Sequence, residues 1–468
     1  MSTLSVTGDL ADTLKSLQAA PHVSLLLGAG ASAAADLPLW GPMVERLLVA
    51  SGAVDTPEAA AGLLARQDPL LAAEAALAKR SDPERSRLLY RALYGTADPD
   101  EAAAEFTSAA LHDTVADLVA ESPNKFELLT LNVDDLLEEA VGSRGLSYYS
   151  RSSASPREAP GAITIHHLHG FLPRADPEGG NALVFTLSDY TGLVGNVDAW
   201  QRVELNLRLQ QGPLLLVSTS YNDMDVRTWL GAIALHHPVY VLVPRQTLRL
   251  DPAQFELVKP ALEAQWAQIG VTALLVDDYA DIAQLLRELS HAGNPDYLSP
   301  SERIGRLWTV HEREFTTLQE EDSATLAADL DTLAPTVGDD ANLTLWLADG
   351  SGRLVRWSSP DRQYVASDRL RRIEARHDSP WLAAQAFCQD AEVVNVRIRA
   401  GSDPLTETRR WRSVAAIGVR ATLPGGPTTP VGVLSSASVQ DFTGDVDAWT
   451  DALRGLADDW ATRLAARA

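Results

Sequence analysis

Five short segments carry side chains suited to chemistry. Gly28-Ala29-Gly30-Ala31-Ser32-Ala33 is a glycine turn that follows an apolar run. Such a turn lets the backbone approach a pyrophosphate, whose charge then sits near helix N–H groups. Thr130-Leu131-Asn132-Val133-Asp134 gathers a hydroxyl, an amide and a carboxylate within five residues. His169-Gly170 offers an imidazole, which with a reference pKa of about 6.5 is available as a base at neutral pH. Asp189-Tyr190 and the run Ser218-Thr219-Ser220-Tyr221-Asn222-Asp223 add hydroxyls and acids.

Each segment also has a plainer reading. Asp134 or Asp135 suits the N-cap of a following helix, and Asn132 suits an Asx turn. Ser218 to Ser220 suit an ordinary strand end. His169 fits a turn histidine, with His166 and His167 as rivals. Strand alternation puts His167 and His169 on one face and His166 on the other. We favour His169 because only it precedes a glycine.

These segments need a frame. Short apolar strands are expected over residues 22–27, 126–131, 163–168, 183–186, 214–218, 239–243 and 271–276. Helical spacing covers 43–51, 58–93 with a break near 81–83, 134–141 and 280–289. Buried strands alternating with helices indicate a Rossmann-like, doubly wound parallel sheet, an α/β domain. The reactive segments then fall at or just after carboxyl ends of strands, the edge where ligands bind in such sheets. A turn-rich stretch at 291–300 closes this domain. Beyond it come a helix over 302–333, strands over 343–348, 353–357, 392–399, 412–422 and 431–436, and a closing helix over 446–464. That order suggests an α+β domain. The expected division is a domain of residues 1–295, a helical linker of 296–324 and a second domain of 325–468.

Composition narrows the function. The 468 residues are 46% hydrophobic and 22% charged, enough for packed cores. A net charge of −24, from 63 acidic against 39 basic residues, argues against nucleic acid or anionic membranes as partners. Cys388 is the one cysteine. It permits no internal disulfide and no cysteine-built zinc site, and it suits a buried small hydrophobe. No metal site is expected. The N-terminus lacks a secretory pattern, and the apolar stretch 23–35 is shorter than the roughly 18 residues of a membrane span. The expected location is cytoplasmic.

Taken in order, the glycine loop with Ser32, the Thr130-x-Asn132-x-Asp134 motif, His169-Gly170, Asp189-Tyr190 and the 218–223 run resemble the SIR2 family, specifically the SIR2-like domains of bacterial anti-phage defence proteins. The resemblance spans roughly residues 15 to 290. It implies NAD as substrate, with Gly28, Ala29, Gly30, Ser32 and Ala33 on the pyrophosphate. It also implies Asn132 and Asp134 near the nicotinamide ribose, His169 as general base, and Ser218, Thr219 and Ser220 on the adenosine side. Thr130 and Asp223 complete the implied binding set. Deacetylases of the family carry a zinc module with four cysteines, which this chain lacks. NAD hydrolysis to nicotinamide and ADP-ribose is therefore favoured over deacylation, and cyclisation stays open. Residues 325–468 resemble a GAF sensor domain, carried by Leu343-Thr344-Leu345-Trp346-Leu347-Ala348-Asp349-Gly350, Ser379-Pro380-Trp381, Arg412-Ser413-Val414-Ala415 and Val431-Gly432-Val433-Leu434. The joint expectation is a defence NADase gated by an unknown activator or small-molecule signal. The alternative is a non-catalytic NAD or ADP-ribose sensor. A dehydrogenase fits badly, because residues 43–51 look helical where its acidic second strand belongs. Homo-oligomerisation suits both domain types, although no heptad or interface patch shows it.

Overall fold

The computed structural model describes residues 6, 8–154, 160–221, 223–233, 235–362, 364–389, 393–395 and 411–468. The chain divides into two compact units, residues 19–276 and residues 1–18 together with 277–468. The first described helix, α1 (Asp9–Ala19), lies almost wholly in the latter.

The 19–276 unit opens with β1 (Val23–Leu27), and its glycine loop leads into the short α2 (Gly30–Ala33). A helical insertion follows: α3 (Trp40–Ala50), α4 (Pro57–Leu64), α5 (Pro69–Leu77), α6 (Asp82–Tyr94), α7 (Pro99–Glu105) and α8 (Ala110–Glu121). The stretch expected to break once, near 81–83, breaks twice. Pro69 cannot continue α4, and Asp68 caps the new helix by accepting the Leu70 N–H. Then come β2 (Phe126–Thr130), α9 (Leu136–Ser143), β3 (Tyr148–Arg151), β4 (Ile163–His167), α10 (Leu187–Gly195) and α11 (Trp200–Gln211). The unit ends with β5 (Leu214–Val217), α12 (Met224–Ala232), β6 (Val239–Pro244), α13 (Arg245–Leu248), α14 (Pro252–Ala267) and β7 (Val271–Val276).

All seven strands are parallel, in the order β3-β4-β2-β1-β5-β6-β7. Without the edge strand β3, this is the doubly wound 3-2-1-4-5-6 order of a Rossmann-like sheet. β1 and β5 are fully buried, as a sheet covered on both faces requires. Residues 183–186, expected as a strand, form none. The Val184 N–H donates to the His169 carbonyl, and the Phe185 and Thr186 N–H groups donate to the Asp189 carboxylate. Those donors serve a loop and the capping box of α10 instead of a ladder.

The second unit holds α15 (Tyr279–Leu289), α16 (Pro300–Arg313), α17 (Phe315–Val337), β8 (Ala341–Ala348), β9 (Arg353–Ser358), β10 (Arg372–Glu374), α18 (Leu382–Phe387), β11 (Val393–Asn395), β12 (Ser413–Thr422), β13 (Thr428–Ser438) and α19 (Val446–Ala465). The helix expected over 302–333 is thus two, separated at Glu314. The strands form a six-stranded antiparallel sheet, β10-β9-β8-β13-β12-β11. Of the strand expected over 392–399, residues 393–395 form β11, and 392 and 396–399 lie outside the described residues. One core joins this sheet to α17 and α19 through Leu326, Trp357, Trp449 and Trp460. Another joins it to α18, with Trp346, Phe387 and Cys388 buried. Glu288 and Arg303 form a fully buried ion pair at 2.7 Å between α15 and α16. No helix among the described residues is long and apolar enough to cross a membrane.

Candidate functional site

In a doubly wound sheet the strand order reverses beside the first strand, and a crevice opens there at the carboxyl edge. Here the reversal lies between β1 and β5. The glycine loop leaves β1 at that point, and the Gly28 and Gly30 N–H groups donate to the Val217 and Ser218 carbonyls of the neighbouring strand end. The approach is tight. A Cβ at Gly28 would lie 2.6 Å from the Ser218 carbonyl oxygen and 2.8 Å from Thr219 Cα. Only glycine lets the loop sit on β5 this closely. The buried hydroxyls of Ser218 and Thr219 have no hydrogen-bond partner among the described residues. Buried hydroxyls are costly unless bonded, so this edge suits a polar ligand.

The loop after β2 meets the glycine loop through side chains. Asn132 Nδ2 donates to Ser32 Oγ at 2.7 Å, and the Ser32 hydroxyl donates to Asp134 Oδ2 at 2.8 Å. The other Asp134 oxygen accepts the Leu136 N–H at 3.2 Å, which starts α9 two residues later than the 134–141 expectation. Asp134 is 5% exposed, and burial pushes its carboxyl up to about 6 against the pull of these two donors. It is therefore both a helix-capping residue and a buried charge at neutral pH. Thr130 ties the junction from below. Its Oγ1 accepts the Asn132 N–H at 2.9 Å and donates to the Leu27 carbonyl at 3.3 Å.

The three histidines separate cleanly. β4 ends at His167, so strand alternation does not extend to His169. His166 points toward α11, with Nε2 3.1 Å from Arg208 Nη2, and burial with the Arg208 and Arg151 charges pushes it down to about 3. His167 is completely buried. Its Nδ1 lies 2.9 Å from the Asn132 carbonyl oxygen and its Nε2 lies 2.7 Å from Glu138 Oε1. His169 is in the turn beyond the strand, 7% exposed, with its ring edge-on to Tyr190 at 5.5 Å. The turn demands Gly170: its φ is +90°, and a Cβ there would meet the Asn181 and Ala182 carbonyl oxygens at 2.5 Å.

The remaining residues separate into site edge and scaffold. Asp189 caps α10 and pairs with Arg85 at 2.9 Å, so it braces the fold. Asp223 accepts the Ser220 N–H at 3.0 Å and precedes α12, shaping the turn after β5. Ala29, Ser32 and Ala33 lie in the glycine loop and α2. Beside the site, Glu138 and Arg174 are buried and carried no role in the sequence reading, and His167 entered it only as a rival of His169. Arg174 donates to Asp135 at 2.6 Å and to Glu139 at 2.8 Å, bracing the outer side of α9. One signal was available for Glu138. Helical spacing sets Glu138 on the face of Val141, three residues on, while the adjacent Glu139 falls on the face of Gly142 and Ser143.

Residues 127–274 match the SIR2-like domain family. A Sir2 homologue solved in complex with NAD matches at TM-score 0.35 and 15% identity, over 62% of this chain and 96% of that one. The GAF domain region of a Geobacter sulfurreducens protein matches at TM-score 0.25 and 19% identity, over 32% of this chain and 94% of its own. A type II free methionine-R-sulfoxide reductase from Thermoplasma acidophilum matches at TM-score 0.25 and 15% identity, over 32% and 93%. No curated protein matches the chain.

Proposed function

We propose that the chain is an NAD glycohydrolase that cleaves the nicotinamide–ribose bond, giving nicotinamide and ADP-ribose. The observation that supports this most is the Asn132–Ser32–Asp134 hydrogen-bonded group at the reversal of the sheet. It sets an amide and a buried carboxylate, both within the residues 127–274 that match the SIR2-like domain family, beside a glycine loop. The orphaned Ser218 and Thr219 hydroxyls fit a dinucleotide with many polar groups. In this reading Gly28, Ala29, Gly30, Ser32 and Ala33 shape the pyrophosphate seat, and Thr130 supports the turn that holds Asn132. Ser218, Thr219, Ser220 and Asp223 form the adenosine side.

The chemistry follows from charge. As the glycosidic bond breaks, its electron pair leaves with neutral nicotinamide and positive charge builds on the ribose. The Asp134 carboxylate is set to stabilise that charge from a buried position. Asn132 orients a water or a ribose hydroxyl, and His169 takes the proton as water adds to the anomeric carbon. The balance is NAD and water giving nicotinamide, ADP-ribose and a proton. Because burial raises the Asp134 carboxyl to about 6, nicotinamide release should rise as pH passes through that value.

The biological reading is anti-phage defence by NAD depletion in the cytoplasm, with the GAF-like unit gating the enzyme in response to a small-molecule signal. Nicotinamide release by the purified chain tests the chemistry, with Asn132→Ala and His169→Ala as variants. Release that survives both substitutions refutes the site assignment. NAD binding without turnover under activating conditions would favour a non-catalytic sensor.

A further inference from the structure

Asn132 lies two residues past the end of β2, and side chains hold both of its backbone polar groups. Neither of its backbone polar groups joins a ladder. Its N–H donates to Thr130 Oγ1, and its carbonyl faces His167 Nδ1 at 2.9 Å. A carbonyl only accepts, so Nδ1 must carry a proton. The other ring nitrogen lies 2.7 Å from Glu138 Oε1, and a second proton occupies that line whichever partner owns it. Glu138 Oε1 also accepts the Ser150 hydroxyl at 2.7 Å, from β3. The histidine side chain is fully buried and that of Glu138 is 2% exposed. The Phe171 ring packs against the imidazole at a tilt of 55°, with ring centroids 4.6 Å apart.

We propose that Glu138 and His167 are positioning residues for Asn132, a buried pair that keeps one proton between them and so fixes the Asn132 peptide. The inference rests on the reading of Asn132 as a group that touches NAD. A charge-assisted N–H on the carbonyl holds the peptide plane more firmly than a neutral one would. That plane sets the direction of the Asn132 amide, which reaches Ser32. Neither residue touches the substrate. Burial opposes a charge on His167, but the Glu138 carboxylate beside it prevails, and the imidazole holds its proton above its usual range. The other charged or titratable groups facing the pair are Asp134 from the β2 loop, His112 from α8 and His166 from β4 itself.

The test uses the full chain labelled with nitrogen-15 in histidine and asparagine. In the wild type both ring nitrogens of His167 should be protonated at neutral pH. Glu138→Gln should leave only Nδ1 protonated and shift the Asn132 side-chain amide signal. Nicotinamide release should fall about tenfold in kcat, with KM for NAD changed far less. Ser150→Ala, a milder change, should shift the amide signal in the same direction by less, and it decides the matter if Glu138→Gln does not fold. Unmoved ring and amide signals in a folded variant, with release within about twofold of wild type, overturn the proposal. A wild-type chain that never releases nicotinamide would overturn the enzymatic reading alone, because the nitrogen signals still report whether the pair positions Asn132.

Discussion

Ser32→Ala probes the centre of the site with the smallest change. It removes one oxygen that accepts from Asn132 and donates to Asp134. Asp134 would keep only the Leu136 N–H as donor in a nearly dry position. A hydrogen bond to a buried charge contributes roughly 1.5–3 kcal/mol, against about 1 kcal/mol for a neutral pair. The cost should therefore depend on pH. The folded-state proton affinity of Asp134 is raised, so the folded protein binds that proton more tightly than the unfolded chain. Its contribution to stability falls as pH rises from about 4 through about 6. Removing the hydroxyl steepens this fall. Denaturant unfolding of wild type and variant should differ by about 2 kcal/mol at pH 8 and by about 1 kcal/mol near pH 5. The acidic limb of nicotinamide release should move up by about 0.7 pH unit, since about 1.4 kcal/mol corresponds to one unit. A cost below about 0.5 kcal/mol that is the same at both pH values would refute the reasoning, as would an unmoved limb.

Three further outcomes follow from the same packing. Gly28→Ala forces a methyl against the backbone of Ser218 and Thr219, so it should destabilise the 19–276 unit by about 1–3 kcal/mol and weaken NAD binding, read by denaturation and calorimetry. Glu288→Gln leaves Arg303 buried without its counter-charge, so it should cost about 3 kcal/mol or more, seen as early unfolding of the second unit. His112 is buried with its proton affinity pushed down to about 4, so the unfolded chain takes up its proton first. Stability should fall as pH drops from about 6.5 toward 4, by about 3 kcal/mol from this residue, and His112→Gln should flatten that slope.

Much of the frame was legible because buried parallel strands leave an unbroken apolar signature. Six of the seven first-unit strands and the closing helix lie where the periodicity puts them. The edge strand β3 escaped notice, since Tyr-Tyr-Ser-Arg is half exposed and has no apolar run. Residues 183–186 misled for the opposite reason. Leu-Val-Phe-Thr has strand composition, but Asp189 draws its N–H groups into a helix cap.

For the site, residue types and their order along the chain were enough to nominate the glycine loop, Asn132, Asp134 and His169, because strand ends in an open sheet are where ligands gather. Partnership was decided only by the tertiary structure. Ser32 lies 100 residues from Asn132 and 102 from Asp134, and no periodicity links them. His167 and His169 differ by two positions, yet one is locked between Glu138 and a carbonyl while the other sits in the turn beyond. Their surroundings part, and burial and a neighbouring charge, both properties of the folded chain, set what a histidine can do.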